Sequence, residues 1–482
     1  MNPTVTIRPR ITVLNAKQIH RVHEASLEIL SSVGVRVDSE RARQVFVQAI
    51  GRTACDDRVR IPRELVEWAL QVAPQSVDVY DRLGNLAFRL GRVDEPDGDV
   101  RTRFGIGVTA LYYQDPETDQ VTPFTRKHME MMVRLGGALS SYDTISNASI
   151  IQDVAPGLSD LYAALEMAAN TVKPLVLLVS DEERFSDVLD LLAHLHSDLA
   201  ARPFVIPYFN PITPLVMNAG TVDKMRDAIE RGLPFMYSNY GMVGATTPIT
   251  PAGTFALLNA ELLAGLTLSQ LYREGAPVIL GSLPAFFDMK GMGSFYDPHS
   301  YLINLACAEM MAHYGLPHCG TSGSGMGWGG DLIAGGHQWF NHLTSCLGKV
   351  GLAPFVGDNL DSKAFSPVIV VYADEIIAQA RRLARGFALD DASLALDEIA
   401  QVGPGGGFLT SDLTLQRFRG AYYQSDIWPI LTLEDWQARG QPRPEDLLRE
   451  RTRGLLDKLS APKDHAELIA RGQAFIHAFE AR

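Results

Sequence analysis

From about Asp143 onward the chain alternates between two hydrophobic rhythms. Short apolar runs, "DTISNASII", "KPLVLLVS", "FVIPYFN", "PFMYSNYG", "PVILGSL", "LPHCGTS" and "APFVGDN", predict buried strands. Most are followed by segments whose apolar residues recur at three-to-four spacing, such as "GLSDLYAALEMAANTV", "VDKMRDAIERG" and "SYLINLACAEMMAHYG", which predict helices. Repeated βα alternation is the pattern of a parallel sheet, and it fits both a doubly wound sheet and a closed (β/α)8 barrel. Seven strand candidates over roughly 220 residues match a barrel of about 250. Many predicted strand ends are also small or polar: Asn147, Ser180, Asp181, Asn210, Ser238, Asn239, Ser282, Thr321, Ser322 and Asp358. A TIM-type barrel would gather them at one mouth, so an α/β (β/α)8 fold is expected.

The flanks read differently. "LNAKQIHRVHEASLEILSSVGV" and "IPRELVEWALQVAP", the latter opened by Pro62 at a favoured first-turn position, predict helices of an N-terminal cap. Val77 to Thr122 shows short alternating runs broken by "RLGN" and "DPETDQ", which predict hairpins. Thr125 offers an N-cap to "RKHMEMMVRLGGAL". The tail from Thr432 is charged and helical. The expected divisions are a helical cap with hairpins over 1–125, the barrel over 126–390 and a helical extension over 391–482.

Composition narrows the function. With 482 residues, 46% of them hydrophobic, there is material for a large core. Forty-three Lys plus Arg against 56 Asp plus Glu leave a charge of −13, which disfavours a nucleic-acid partner. Cys55, Cys307, Cys319 and Cys346 have neither metal-type spacing nor the density of a disulfide scaffold, so a reducing, cytoplasmic setting is expected. No run of roughly 18 uninterrupted apolar residues suggests a membrane span.

Candidate chemistry concentrates in "CGTSGSGMGWGGDLIAGGHQ", Cys319 to Gln338, where six glycines surround Trp328. Gly325, Gly327 and Gly330 spell GxGxxG, but they lie late in the chain and no acidic residue follows about 20 positions on to hold a ribose. GxxxxGK[ST], HExxH and GxSxG are absent, and the pairs His20/His23 and His194/His196 lack further ligands, so no metal site is expected. Cys319 and His337 could meet across the mouth, although a cysteine in a strand usually behaves as a small hydrophobe. Aromatic residues recur near strand ends. Several lining the mouth would form a cage for a quaternary ammonium, which binds through cation–π attraction and has no N–H to donate.

Three stretches together resemble the trimethylamine methyltransferase family: "IHRVHEASLEILSSVGVRVDSERARQVF", "RVRIPRELVEWALQVAP" and the long C-terminal run from "DEIIAQARRLARGF" to "LTLEDWQARG". With the βα repeats between them the resemblance spans nearly the whole chain, and it implies a (β/α)8 barrel that moves a methyl group from an amine to a corrinoid protein. Members acting on trimethylamine carry pyrrolysine where this chain has Gly325 to Asp331, with Gly329 nearest that position. Leu413 stands where the family usually has His.

The first departure has a chemical reading. A tertiary amine is a poor methyl donor, because an unstable amide anion would leave unless the nitrogen is first made cationic. A quaternary amine already carries the charge and leaves as a neutral tertiary amine, so the protein need only bind, desolvate and align it. The resemblance therefore implies a quaternary-amine, betaine-like substrate, a partner corrinoid protein and no tightly bound cofactor. The expected cage is Phe209, Tyr237, Tyr240 and Trp328, with Asn210, Asn239, Asp331 and His337 as polar contacts and Gly329 supplying no catalytic side chain. Self-association of the chain is also expected. A non-catalytic amine-binding protein and an unrelated barrel enzyme on a phosphorylated metabolite are the alternatives.

Overall fold

A computed structural model describes residues 6–91, 102–107, 110–196, 199–320 and 325–480. Eight parallel strands close into a barrel: β1 (Arg103–Ile106), β2 (Thr144–Ser146), β3 (Leu175–Leu177), β4 (Val205–Phe209), β5 (Phe235–Val243), β6 (Val278–Asp288), β7 (His318–Gly320) and β8 (Leu352–Val356). Closure comes from β8 pairing with β1, Leu352 opposite Arg103. After each strand one long helix returns along the outside: α1 (Arg126–Ala138), α2 (Ser159–Asn170), α3 (Phe185–Leu195), α4 (Ala219–Glu230), α5 (Pro251–Tyr272), α6 (Pro298–Tyr314), α7 (Leu332–Leu347) and α8 (Pro367–Arg385). All seven predicted strands are present. The eighth, β1, lies in the stretch read as hairpins, so the barrel starts upstream of residue 126.

Both faces of the sheet are buried. Phe104, Ile145, Leu175, Phe209, Phe235, Tyr237 and Leu280 join the large core between strands and helices. Val176, Ile206, Tyr208, Met236, Ile279, Cys319, Leu352 and Phe355 form a second cluster, which fills the lumen. The predicted hairpin, Ser76–Tyr80 with Leu86–Gly91, drives Val77, Val79, Phe88 and Leu90 into that second cluster. It plugs the N-terminal end of the barrel and leaves the C-terminal end as the accessible one.

The N-terminal helices Ala16–Glu28 and Arg63–Val72 pack over α5, which explains its even hydrophobicity. By length and composition α5 could cross a membrane, but most of it is buried in this core. At the open end a four-stranded sheet, made from Tyr112–Gln114, Val121–Pro123, Asp358–Asn359 and Ala364–Phe365, stands over β1 and β8. β6 continues past the rim and folds back antiparallel onto Gly293–Phe295.

Candidate active site at the open end of the barrel

Alternation along β4 and β5 decides which aromatic residues can meet a ligand, because successive side chains point to opposite faces. Tyr208 points into the lumen. Its ring packs edge-to-face on Phe355 with centroids 5.1 Å apart, and the Asn210 Nδ2 lies 3.5 Å from its hydroxyl. Burial pushes the Tyr208 phenol up to about 12, while Ser238 and Asn210 pull it the other way. Tyr240, two positions beyond Ser238, also faces inward at the rim, where Ser294 is hydrogen-bonded to it and Asp361 lies close. Ser294 Oγ in turn donates to Asp361 Oδ1 at 3.1 Å. Tyr208 and Phe355 are thus an aromatic pair in the lumen cluster, and Tyr240 lies further along the inward face of β5.

The structure corrects two cage assignments. Phe209 is 2% exposed and packs on Phe185 and Phe235, with centroids 5.6 and 5.7 Å away, on the helix side of the sheet. Tyr237 is also on that side, against α5: a Cβ on Gly265 would come within 2.2 Å of the Tyr237 ring. Asn239 follows the same face. Its Nδ2 donates to the Leu258 carbonyl (2.9 Å) and to Glu261 Oε2 (2.8 Å), so it is a structural tie rather than a mouth residue. Glu261 also accepts from Thr213 Oγ1 and the Leu215 amide; burial pushes its carboxyl up to about 7 against these hydrogen bonds.

The glycine loop has a geometric reason for its composition where it is described. Gly325 and Gly327 have φ of +90° and +98°, and a Cβ would meet Ser362 Oγ or Ala334 Cβ at 2.7 Å in each case. Thr321 and Ser322 lie outside the described residues. Trp328 is 72% exposed on the rim, its carbonyl accepting from Gln114 Nε2 at 2.8 Å. Gly329 faces Gln114 and Asp119. Asp331 is the N-cap of α7, accepting from the amides of Trp328, Ile333 and Ala334 at 2.7–2.9 Å, so its carboxylate is occupied in holding the loop to the helix.

His337 is likewise engaged within the protein, its Nδ1 2.8 Å from the hydroxyl of buried Tyr301 on α6. Cys319 belongs to the lumen cluster and burial raises its thiol, so the suggested meeting of Cys319 with His337 does not occur. Asn210 is exposed at the end of β4, next to Tyr208. Of the predicted strand-end residues, Ser282 turns to Cys307 on the helix side and Asn147 Oδ1 accepts from the Leu178 amide. Among the described residues no three His, Cys, Asp or Glu side chains gather as a metal site.

Two further residues stand out in the structure although the sequence gives them little prominence. Phe355 reads as an ordinary strand residue, and Asp358 only as a strand end. Asp358 is fully buried at the C-terminal end of β8, and neither carboxylate oxygen has a hydrogen bond of good geometry. Burial pushes its carboxyl up to about 7, although the Ser362 hydroxyl and the Gly325 amide, which face it, act in the opposite direction.

The chain matches the family described as trimethylamine methyltransferase (MTTB) over residues 1–480. It is 26% identical over 476 residues to a glycine betaine methyltransferase of Desulfitobacterium hafniense, covering 97% of both chains. It is 27% identical over 432 residues to a trimethylamine methyltransferase MttB of the same species, covering 88% of this chain and 85% of the other. Among solved structures, the monomethylamine methyltransferase MtmB of Methanosarcina barkeri superposes with a TM-score of 0.54 at 9% identity, over 92% of this chain and 87% of that one. That likeness is one of fold. A whole-length family match, an eight-stranded barrel and ordinary residues in the glycine loop place this chain in the trimethylamine methyltransferase family, as a member without pyrrolysine.

Proposed function

We propose that the protein is a methyltransferase that takes a methyl group from a quaternary amine and delivers it to the Co(I) centre of a corrinoid carried by a partner protein. The observation that carries this reading is the inward aromatic pair Tyr208 and Phe355, in edge-to-face contact, with Tyr240 on the inward face of the neighbouring strand β5 nearer the rim. Such faces attract a cation without hydrogen-bonding it. In the reaction the C–N bond breaks with its electron pair retained by nitrogen, and a neutral tertiary amine leaves. The two electrons of Co(I) form the new Co–C bond, so the acceptor becomes methyl-Co(III). No proton moves and the chain supplies no nucleophile. Its residues bind the ammonium, strip its water and aim one methyl outward along the barrel axis.

The rim fits a docking partner. Ile249, Met289, Met292 and Trp328 from the loops after β5, β6 and β7, and Leu332 at the start of α7, are exposed, Leu332 at 92%. They lie on one side of the accessible end of the barrel, where a corrinoid must approach. Trp328 serves this rim or the entering amine.

The C-terminal extension supports self-association. Its helices Asp391–Leu394, Leu396–Val402 and Asp412–Ala421 bury no residue within the chain. Helices this short do not persist in water without a packed face. Eleven large apolar residues from Leu383 to Tyr422, among them Leu396, Leu409 and Phe418, are exposed by about half on average. At roughly 150–200 Å² each they offer on the order of 1,000 Å², enough for the roughly 800 Å² per partner of a stable interface. A second copy of the chain is the partner proposed, because the arm needs cover permanently and a carrier protein comes and goes. Leu413 lies in this arm, its amide donating to Glu398 Oε1 at 3.1 Å, away from the mouth.

Methyl transfer to Co(I) from one quaternary amine, with none from trimethylamine, is the test of this function. An amine-binding protein without activity would bind the same compounds and leave the cobalt unmethylated.

A further inference from the structure

Six Asp or Glu residues are buried in the described structure, and five have an evident use. Asp160 accepts from the Asp181 amide, Glu166 from Arg126 and Asn170, Glu261 from three donors, Glu309 from the Val13 and Leu14 amides, and Glu375 from Gln379. Asp358 is the exception, with both oxygens enclosed and neither engaged in a well-formed hydrogen bond. An ionised carboxylate in such a place is costly unless a positive charge joins it.

Its position supplies the rest. Asp358 follows Phe355 by three residues on β8 and its extension. Gly357, with φ of +124°, makes a bend after β8, and Asp358 then pairs with Phe365 in the small sheet over the open end. There the Ser362 hydroxyl and the Gly325 amide border it, and Asp361 adds a further negative charge nearby. The nearby Lys363 is directed to Asp361, 3.6 Å away, and is largely solvent-exposed.

We propose that Asp358 is the anionic anchor of the mouth, balancing the fixed positive charge of a quaternary ammonium held against Tyr208 and Phe355. The inference rests on the methyltransferase reading and sharpens it. An ammonium bearing N–H groups would need several hydrogen-bond acceptors, and a metal ion several ligands; a quaternary head needs a charge and apolar walls. A substrate that also carries a carboxylate must direct it away from Asp358, outward past Asn210 at the rim.

The test compares choline with 3,3-dimethylbutan-1-ol, its uncharged isostere, by calorimetry on the full chain. Wild-type protein is expected to prefer choline at least tenfold, and Asp358→Asn to lose most of that preference while holding the neutral alcohol as before. If Asp358→Asn keeps the wild-type preference, the anchor is wrong and the quaternary-amine reading stands. If the wild type binds neither choline, glycine betaine nor tetramethylammonium, the reading itself fails and the anchor falls with it.

Should Asp358→Asn not fold, the wild type answers through pH. Asp358 is protonated below about 7, so choline affinity should fall towards that of the alcohol between pH 8 and 5.5, with the alcohol unaffected. Among the described residues, the other titratable groups at this site are Asp361 with its partner Lys363, and the Tyr208 and Tyr240 phenols, whose ionisation is raised by burial away from this range. A choline preference that is unchanged at pH 5.5 would overturn the anchor.

Discussion

Leucine in place of Tyr208 or of Tyr237 separates the two faces of the barrel wall. The two tyrosines are 29 residues apart on neighbouring strands, and both are buried. At position 208 the ring meets Phe355 and borders the mouth; at 237 it fills the space over Gly265 in α5. Removing a π-face that contacts a desolvated cation costs about 0.5–2 kcal/mol, or roughly 2- to 30-fold in Kd. Tyr208→Leu should therefore weaken quaternary-amine binding by that factor, and Tyr208→Phe, which keeps the face, should bind within about twofold of the wild type. Tyr237→Leu changes shape in a close-packed layer and should cost about 1–3 kcal/mol of stability, with no change in the affinity of the folded protein. Calorimetry with tetramethylammonium and denaturant midpoints read the two effects separately. Equal weakening by both leucine variants, or wild-type binding by Tyr208→Leu, would refute the assignment of faces.

Asp331→Ala should lower stability by about 1–2 kcal/mol through loss of its N-cap role, with an affinity change no larger than loop loosening brings; a loss of binding at full stability would make it a ligand contact instead. Asp358→Asn should raise stability at pH 8, because a carboxyl pushed from its ordinary range up to about 7 destabilises the fold as pH rises through that interval. A rise from the usual aspartate range near 4 to about 7 corresponds to at most about 4 kcal/mol, and the gain should shrink as pH falls from 7 towards 4. Urea midpoints across pH test this. Leu409→Lys combined with Phe418→Lys should shift the chain to a smaller species in analytical ultracentrifugation, whereas an unchanged sedimentation coefficient would reject the arm as a self-interface.

The strand-helix rhythm was legible because each run is long enough to show its period and is bounded by turn residues. β1 escaped because "RFGI" is four residues long and ends at Gly107, with nothing in its pattern to distinguish it from a hairpin strand. The cage residues were misplaced for a deeper reason. In a half-exposed sheet, polarity marks which alternate residues face solvent; in a closed parallel barrel both faces are buried and apolar. "VIPYFN" and "FMYSNYG" therefore offer aromatics of both parities, and the chain alone does not distinguish Tyr208 from Phe209 or Ser238 from Tyr237. Asp331 illustrates a different ambiguity, since an acidic residue just before a helix suits a cap as well as a ligand. Asp358 stands out only after folding, when its lack of partners can be compared with the other buried carboxylates.

Anaerobic mixing of the purified protein with Co(I) cobalamin, followed by the cognate corrinoid protein, and a panel of quaternary amines plus trimethylamine tests the central claim most directly. Absorbance should change from the Co(I) to the methyl-Co(III) spectrum with one quaternary amine and stay unchanged with trimethylamine. No methylation by any quaternary amine with either acceptor, or methylation from trimethylamine, would contradict it.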